Sequence, residues 1–117
     1  MTTDGNVTIY HNPRCSTSRK TLDLLHDNGI EPTVVEYLKT PPSRQELTEM
    51  ITAAGIGVRD AVRTGEPVYA ELNLADASDD ELLDAMATHP ILIQRPFVVT
   101  GKGTRLARPV DTVREIL

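Results

Sequence analysis

The sequence predicts an α/β fold: a mixed four-stranded sheet carrying an inserted helical region, on three observations. A β-branched and aromatic run, Val7 to Tyr10, leads through a turn into a helix-like segment and then into a second strand-like run. A long middle stretch is helical in pattern and holds no convincing strand. The final part returns to β residues on both sides of Gly101-Lys102-Gly103, which reads as a hairpin turn.

Taken in order, the polar start from Met1 to Asn6 reads as a frayed end. Val7 to Tyr10 is the first strand, and Asn12-Pro13 breaks it. A helix from about Ser16 to Asn28 turns Leu22 and Leu25 inward, with Gly29 as its stop. Pro32 to Leu38 alternates as a second strand, and a right-handed crossover makes it parallel to the first. Pro41-Pro42 ends that unit. Ser43-Arg44-Gln45-Glu46 is a capping box, opening a helix with Leu47, Met50, Ile51 and Ala54 on one face and Gly55 at its close. Val58 to Arg63 predicts a short helix, Thr64 to Pro67 a break, and Ser78 to Glu81 a second capping box ahead of Leu82, Leu83 and Met86. Phe97 to Thr100 and Thr104 to Ala107 form the hairpin, and Pro109 suits N1 of a last helix running through Val113 and Ile116.

The order β-α-β, helices, β-β-α is that of a thioredoxin-like fold. A chain of 117 residues fits a single domain over 1–117, with the helical insert at about 43–89. With one cysteine, no internal disulfide is available, and the start carries no apolar signal segment, so a reducing, cytoplasmic location is expected. No run reaches the length of a membrane span. A net charge of −5 argues against nucleic acid as a partner but leaves room for a small anion pocket built from a few arginines. Three Tyr, one Phe and no Trp give no stacking platform for bases.

Cys15 sits at the predicted strand-to-helix turn. Unpaired N–H groups and the positive end of the helix dipole favour a thiolate there, and Arg14, Arg19 and His11 are placed to add positive charge. In such settings cysteine pKa values fall to roughly 3.5–7.5. A lone cysteine is more often a small buried hydrophobe. The turn, the hydroxyls of Ser16, Thr17 and Ser18 and the flanking arginines tip the reading toward a nucleophile.

Spacing separates the chemistries open to such a sulfur. A phosphate-loop cysteine phosphatase needs an arginine where Thr21 stands. A dithiol oxidoreductase needs a second cysteine where Ser18 stands, so a resolving thiol must come from outside. His11, His26 and His89 are scattered and give no zinc-ligand spacing, so no metal is expected. Arg63, Arg95 and Arg108 each lie at the end of an element, where loops build sites. Each could equally be a solvated surface residue, and sequence alone cannot bring the three together.

The runs His11 to Arg19, Pro41 to Arg44, Arg59 to Arg63, His89 to Pro96 and Gly103 to Pro109 resemble, in the same order and over nearly the whole chain, the glutaredoxin-coupled arsenate reductases. The resemblance implies that Cys15 is the nucleophile, that Arg63, Arg95 and Arg108 hold the oxyanion, and that His11 and Ser18 help keep the thiolate ionised. It also implies arsenate as substrate, glutathione as co-substrate, glutaredoxin as partner, no bound cofactor, and a cis bond at Arg95-Pro96. Two sister groups share the fold: glutathione-dependent thiol reductases with other substrates, and transcriptional regulators that bind RNA polymerase. The regulators often carry a second cysteine where this chain has Ser18.

Overall fold

Thr8–His11 forms β1, Ser16–Asp27 forms α1 and Thr33–Glu36 forms β2 in the computed structural model, which describes residues 7–117. The expected frayed start, Met1 to Asn6, lies outside the described residues. β1 and β2 pair in parallel, Thr8 opposite Thr33 and His11 opposite Glu36, as the crossover rule requires. Gly29 ends α1 at φ +75°, a conformation that costs a residue with a Cβ but not glycine. Leu25 is fully buried on the inner face of α1, and Leu22 packs beside it. Ser18 and Thr21 are buried on the same helix. Thr21 is satisfied locally, its hydroxyl donating to the Thr17 carbonyl at 2.8 Å.

The hairpin is Phe97–Thr100 (β3) and Gly103–Leu106 (β4), with β3 antiparallel to both β1 and β4. The sheet order is β2-β1-β3-β4, a mixed four-stranded sheet. Tyr10 lies opposite Phe97, and Phe97 opposite Leu106. The end of β1, the start of β3 and the end of β4 therefore share one edge of the sheet, and the loops that leave those strands converge there. The last element differs from the expected α-helix. Val110–Ile116 is a 3-10 helix, with Pro109 extended at its N-cap rather than inside it as N1. Val7, Ile9, Leu25, Val98, Ala107, Val113 and Ile116 close a continuous core between sheet and helices. Cutting Leu25 to Ala would cost about 2–5 kcal/mol, the usual range for an emptied core site. These elements, with the chain up to Thr40 and from Arg95 onward, form one compact unit.

Pro41–Gln94 forms the second unit, and it is helical as expected. α2 (Arg44–Ala53) opens on the Ser43/Glu46 capping box and buries Leu47, Met50 and Ile51. A 3-10 turn follows at Val58–Ala61, then α3 (Pro67–Glu71), a second 3-10 turn at Leu74–Asp76 and α4 (Asp79–Thr88) with the Ser78/Glu81 capping box. Arg44 ties α2 to α4 through Asp84 at 2.6 Å and Asp80 at 3.1 Å. Arg59 donates to the Leu74 and Ala77 carbonyls and to the Tyr69 hydroxyl, pinning the chain between the two turns. An isolated bridge pairs Val62 with Ile93. Among the described residues no helix is long and apolar enough to cross a membrane.

Candidate active site

β1 delivers the chain to the converging sheet edge, and Asn12 to Arg14 turn it into α1 with Cys15 as the N-cap residue, extended at φ −94° and ψ 123°. Asn12 shapes this turn. Its carbonyl accepts the Cys15 N–H at 3.0 Å, its side-chain oxygen accepts the Arg14 N–H at 2.9 Å, and its own N–H donates to Ser18 Oγ at 3.0 Å. Ser18 Oγ also lies 2.7 Å from His11 Nδ1, and both side chains are buried. Arg19 closes the turn from the helix side, donating to the Pro13 carbonyl at 2.9 Å.

No side-chain cap bond closes the first turn of α1, and its N–H groups at Thr17 and Ser18 face the Cys15 sulfur instead. The pKa of Cys15 is lowered from 9.0 to about 7. Burial by itself would raise it; the N–H of Ser18, the hydrogen-bonding and charged guanidinium of Arg95 and the N–H of Thr17 more than offset that. The cationic help thus comes from Arg95 rather than from Arg14, Arg19 or His11. Arg14 is exposed and Arg19 is spent on the loop backbone. His11 has its pKa lowered, by burial first and by Arg19 as well, against the pull of Glu36, so near neutral pH it is an uncharged hydrogen-bonding partner.

Arg95 lies two residues before β3 and Arg108 two residues after β4, so the hairpin sets both at the end of the sheet where Cys15 emerges. Arg108 donates from Nη1 to the Arg95 carbonyl at 2.9 Å, and the Ala107 N–H donates to the Pro96 carbonyl at 2.9 Å. Both Arg95-Pro96 and Arg108-Pro109 are cis; the resemblance implied only the first. The Nε and Nη1 groups of Arg95 are buried and meet no acceptor among the described residues. Buried guanidinium donors almost always have partners, so these two are exceptions to the usual pairing. An open groove of about 280 Å³ runs alongside, lined by Thr17, Lys20, Arg108, Pro109 and Val110.

Arg63 belongs to the helical unit. Its N–H donates to the Leu92 carbonyl at 2.7 Å, its Nε pairs with Glu66 Oε2 at 3.2 Å, and its Nη1 donates to Gln94 Oε1 at 3.2 Å. Of the residues singled out in the sequence, His11, Cys15, Ser18, Arg95 and Arg108 thus lie in one unit and Arg63 in the other. Asn12 is a further residue of this loop, and an Asn ahead of Pro is the sequence signal for it. The role of Arg19 as a loop brace has no signature in the sequence.

A mixed β2-β1-β3-β4 sheet with a helix-capping cysteine after β1 and a cis-proline before β3 defines a thioredoxin-like fold with a single activated thiol. The chain belongs to the ArsC family, whose model matches residues 10–116. It is 63% identical over 113 residues to an arsenate reductase of Rhizobium meliloti (strain 1021), covering 95% of this chain and 81% of that protein. It is 54% identical over 115 residues to an arsenate reductase of Escherichia coli, covering 97% and 82%. Among solved structures, an arsenate reductase from Vibrio cholerae superposes with a TM-score of 0.90 at 50% identity, covering 95% of this chain and 97% of that one.

Proposed function

We propose that this protein is an arsenate reductase in which Cys15 attacks arsenate and glutathione and glutaredoxin complete the reduction. Arg95 carries this reading: one guanidinium both stabilises the Cys15 thiolate and presents two buried, unmatched N–H donors to an anion. Arsenate is a compact tetrahedral oxyanion, and guanidinium forks pair with its oxygens while offsetting repulsion between thiolate and anion. The relatives named arsenate reductase at 54–63% identity support the same substrate. Arg108, joined to Arg95 through the backbone, is proposed as a second ligand of the oxyanion. Arg63 is proposed as the third, on the family resemblance.

In the proposed reaction the Cys15 sulfur forms a bond to arsenic as one arsenate oxygen, protonated, leaves as water. A glutathione thiol then attacks the adduct. Its sulfur bonds to the Cys15 sulfur as the S–As bond breaks, the electron pair of that bond staying on arsenic, so arsenic(V) becomes arsenite and a Cys15–glutathione disulfide remains. Glutaredoxin takes the glutathionyl group and restores the thiol. Ser18 is no resolving thiol, and the groove beside Thr17 and Arg108 supports approach by an external one. This chemistry needs a reducing compartment, so a cytoplasmic location goes with it.

A coupled assay with arsenate, glutathione and glutaredoxin tests the proposal directly. Arsenate-dependent thiol oxidation is the expected result. Thiol exchange without any arsenate dependence would instead favour a thiol reductase acting on another substrate.

A further inference from the structure

We propose that the groove beside the first turn of α1 seats the resolving thiol, and that Lys20 binds the glycyl carboxylate of glutathione there while the thiol faces Cys15. This rests on the reading that glutathione resolves the Cys15 adduct. The groove is lined by Thr17, Lys20, Arg108, Pro109 and Val110, all of the unit that carries Cys15. Two of these residues reach the surroundings of the sulfur. The Thr17 N–H favours the thiolate, and Arg108 donates to the carbonyl of Arg95, whose guanidinium does the same. The groove therefore opens beside the sulfur.

Its charge is cationic. Lys20 and Arg108 are both exposed, and no lining residue carries a carboxylate; Asp111, the residue after Val110, is turned to Arg114 at 3.2 Å. Lys20 is also uncommitted. Of the three lysines, Lys39 pairs with Glu36 at 3.4 Å and Lys102 donates to the Leu117 carbonyl at 2.7 Å, whereas Lys20 has no hydrogen bond or ion pair among the described residues. It stands three positions after Thr17 on the same side of the helix, about 4.5 Å further along the axis from the end that meets the sulfur. Glutathione carries its thiol on the central residue of three, with a lone carboxylate at the glycyl end and a carboxylate beside an ammonium at the other. Two cations without an anion suit the lone carboxylate, since they would repel the ammonium. A second groove, of about 360 Å³, lies across the cysteine loop against Pro13, Arg14, Glu36 and Lys39. There Glu36 already pairs with Lys39, so that groove offers an anion a weaker field.

Lys20→Gln should raise the glutathione concentration at half-maximal rate by about two- to fivefold, the scale of one exposed ion pair, with the arsenate KM parental. The rise should shrink at high salt. Glutathione monoethyl ester, blocked at the glycyl carboxylate, should show the same rise with the parent and no further rise with Lys20→Gln, because both changes delete one interaction. A readout without arsenate uses oxidised glutathione: the Cys15 thiolate attacks one sulfur, a Cys15–glutathione disulfide forms and a glutathione thiolate leaves. That exchange should slow by a similar factor in Lys20→Gln, while iodoacetamide, which is uncharged, alkylates Cys15 at the parental rate. Parental kinetics of Lys20→Gln toward glutathione and its disulfide would overturn the assignment, and a loss found instead in Arg14→Gln would seat the thiol across the loop. A loss in Lys20→Gln as large with the ester as with glutathione would overturn the glycyl carboxylate as the group held. A parent that turns over only with other thiols would remove glutathione as the resolving thiol, and this seat with it. A parent without arsenate dependence that keeps the pattern in disulfide exchange would lose the arsenate reading and retain the seat.

Discussion

His11 Nδ1 and Ser18 Oγ lie 2.7 Å apart beneath the cysteine loop, and the same hydroxyl takes the Asn12 N–H at 3.0 Å. Three residues of the loop and helix thus share one buried oxygen. Ser18→Ala leaves the Asn12 N–H and the His11 ring without that partner, at a site where Ser18 is 0% exposed. A buried polar group stripped of its partner costs about 1–3 kcal/mol. Denaturant unfolding should show that loss at an unchanged slope, and a variant as stable as the parent would mean that water replaces the hydroxyl.

The lowered pKa of His11 makes stability depend on pH in a definite direction. The unfolded state takes up a proton near the ordinary 6.5 while the folded state resists it, so the folded protein should lose stability as the pH falls below about 6.5. Glu36, which raises the His11 pKa, and Arg19, which with burial lowers it, are the charges that tune this window. Unfolding curves of His11→Asn over the same range should lose that component of the pH dependence. The parental profile persisting in the variant would assign the titration to another group.

Cys15 should alkylate with iodoacetamide along a titration curve centred at about 7, well below the ordinary 9.0. Arg95→Met should move the midpoint upward, because a cation that favours the thiolate has gone. Arg14→Ala should leave it where it is, since Arg14 takes no part in the shift. A parental midpoint in Arg95→Met would dissociate Arg95 from the sulfur.

Turnover should vanish in Cys15→Ser, whose hydroxyl is a far weaker nucleophile, and should stop in the parent when glutathione and glutaredoxin are withheld at saturating arsenate. Multiple turnovers without an added thiol would require a resolving group within the chain.

Lysine keeps the charge of arginine but not its planar fork. Arg95→Lys and Arg108→Lys should each lower kcat/KM for arsenate by on the order of tenfold, about 1.4 kcal/mol, with the fold intact. Parental kinetics in both variants would place the oxyanion elsewhere.

Much of this architecture is legible in short-range chemistry. Ser43-x-x-Glu46 and Ser78-x-x-Glu81 announce their helices, because a capping box is a reciprocal bond between residues three apart. Gly29 and Gly55 mark helix ends for a similarly local reason, each at positive φ. Cys15 at a helix start could be read from Asn12-Pro13 and the helical run after it. What sequence could not supply was pairing across distance. That Arg95 rather than Arg14 or Arg19 serves the sulfur depends on the register that sets β3 beside β1. His11 is a source of charge by residue type alone, but its burial, which no local pattern shows, lowers its pKa. The last segment carries helix-compatible residues, yet an extended Pro109 after a cis bond leads into a 3-10 helix. Ser18 and Thr21 sit on the buried face of α1 because the loop and the helix backbone satisfy their hydroxyls, which hydrophobic periodicity cannot register.

The burial of Ser18 also bears on how this protein could be re-engineered. Replacing one oxygen with sulfur at position 18 would write the Cys-x-x-Cys of dithiol enzymes into the chain. The pocket is dimensioned for a hydroxyl, with partners at 2.7 and 3.0 Å, and a thiol is larger, a weak donor and a weak acceptor. Seating it would mean prising the histidine ring and the asparagine amide away from the loop they jointly brace. A self-resolving descendant therefore lies several coordinated substitutions away, at His11 and Asn12 as well as at Ser18, and the borrowed thiol is the cheaper solution for this scaffold to keep.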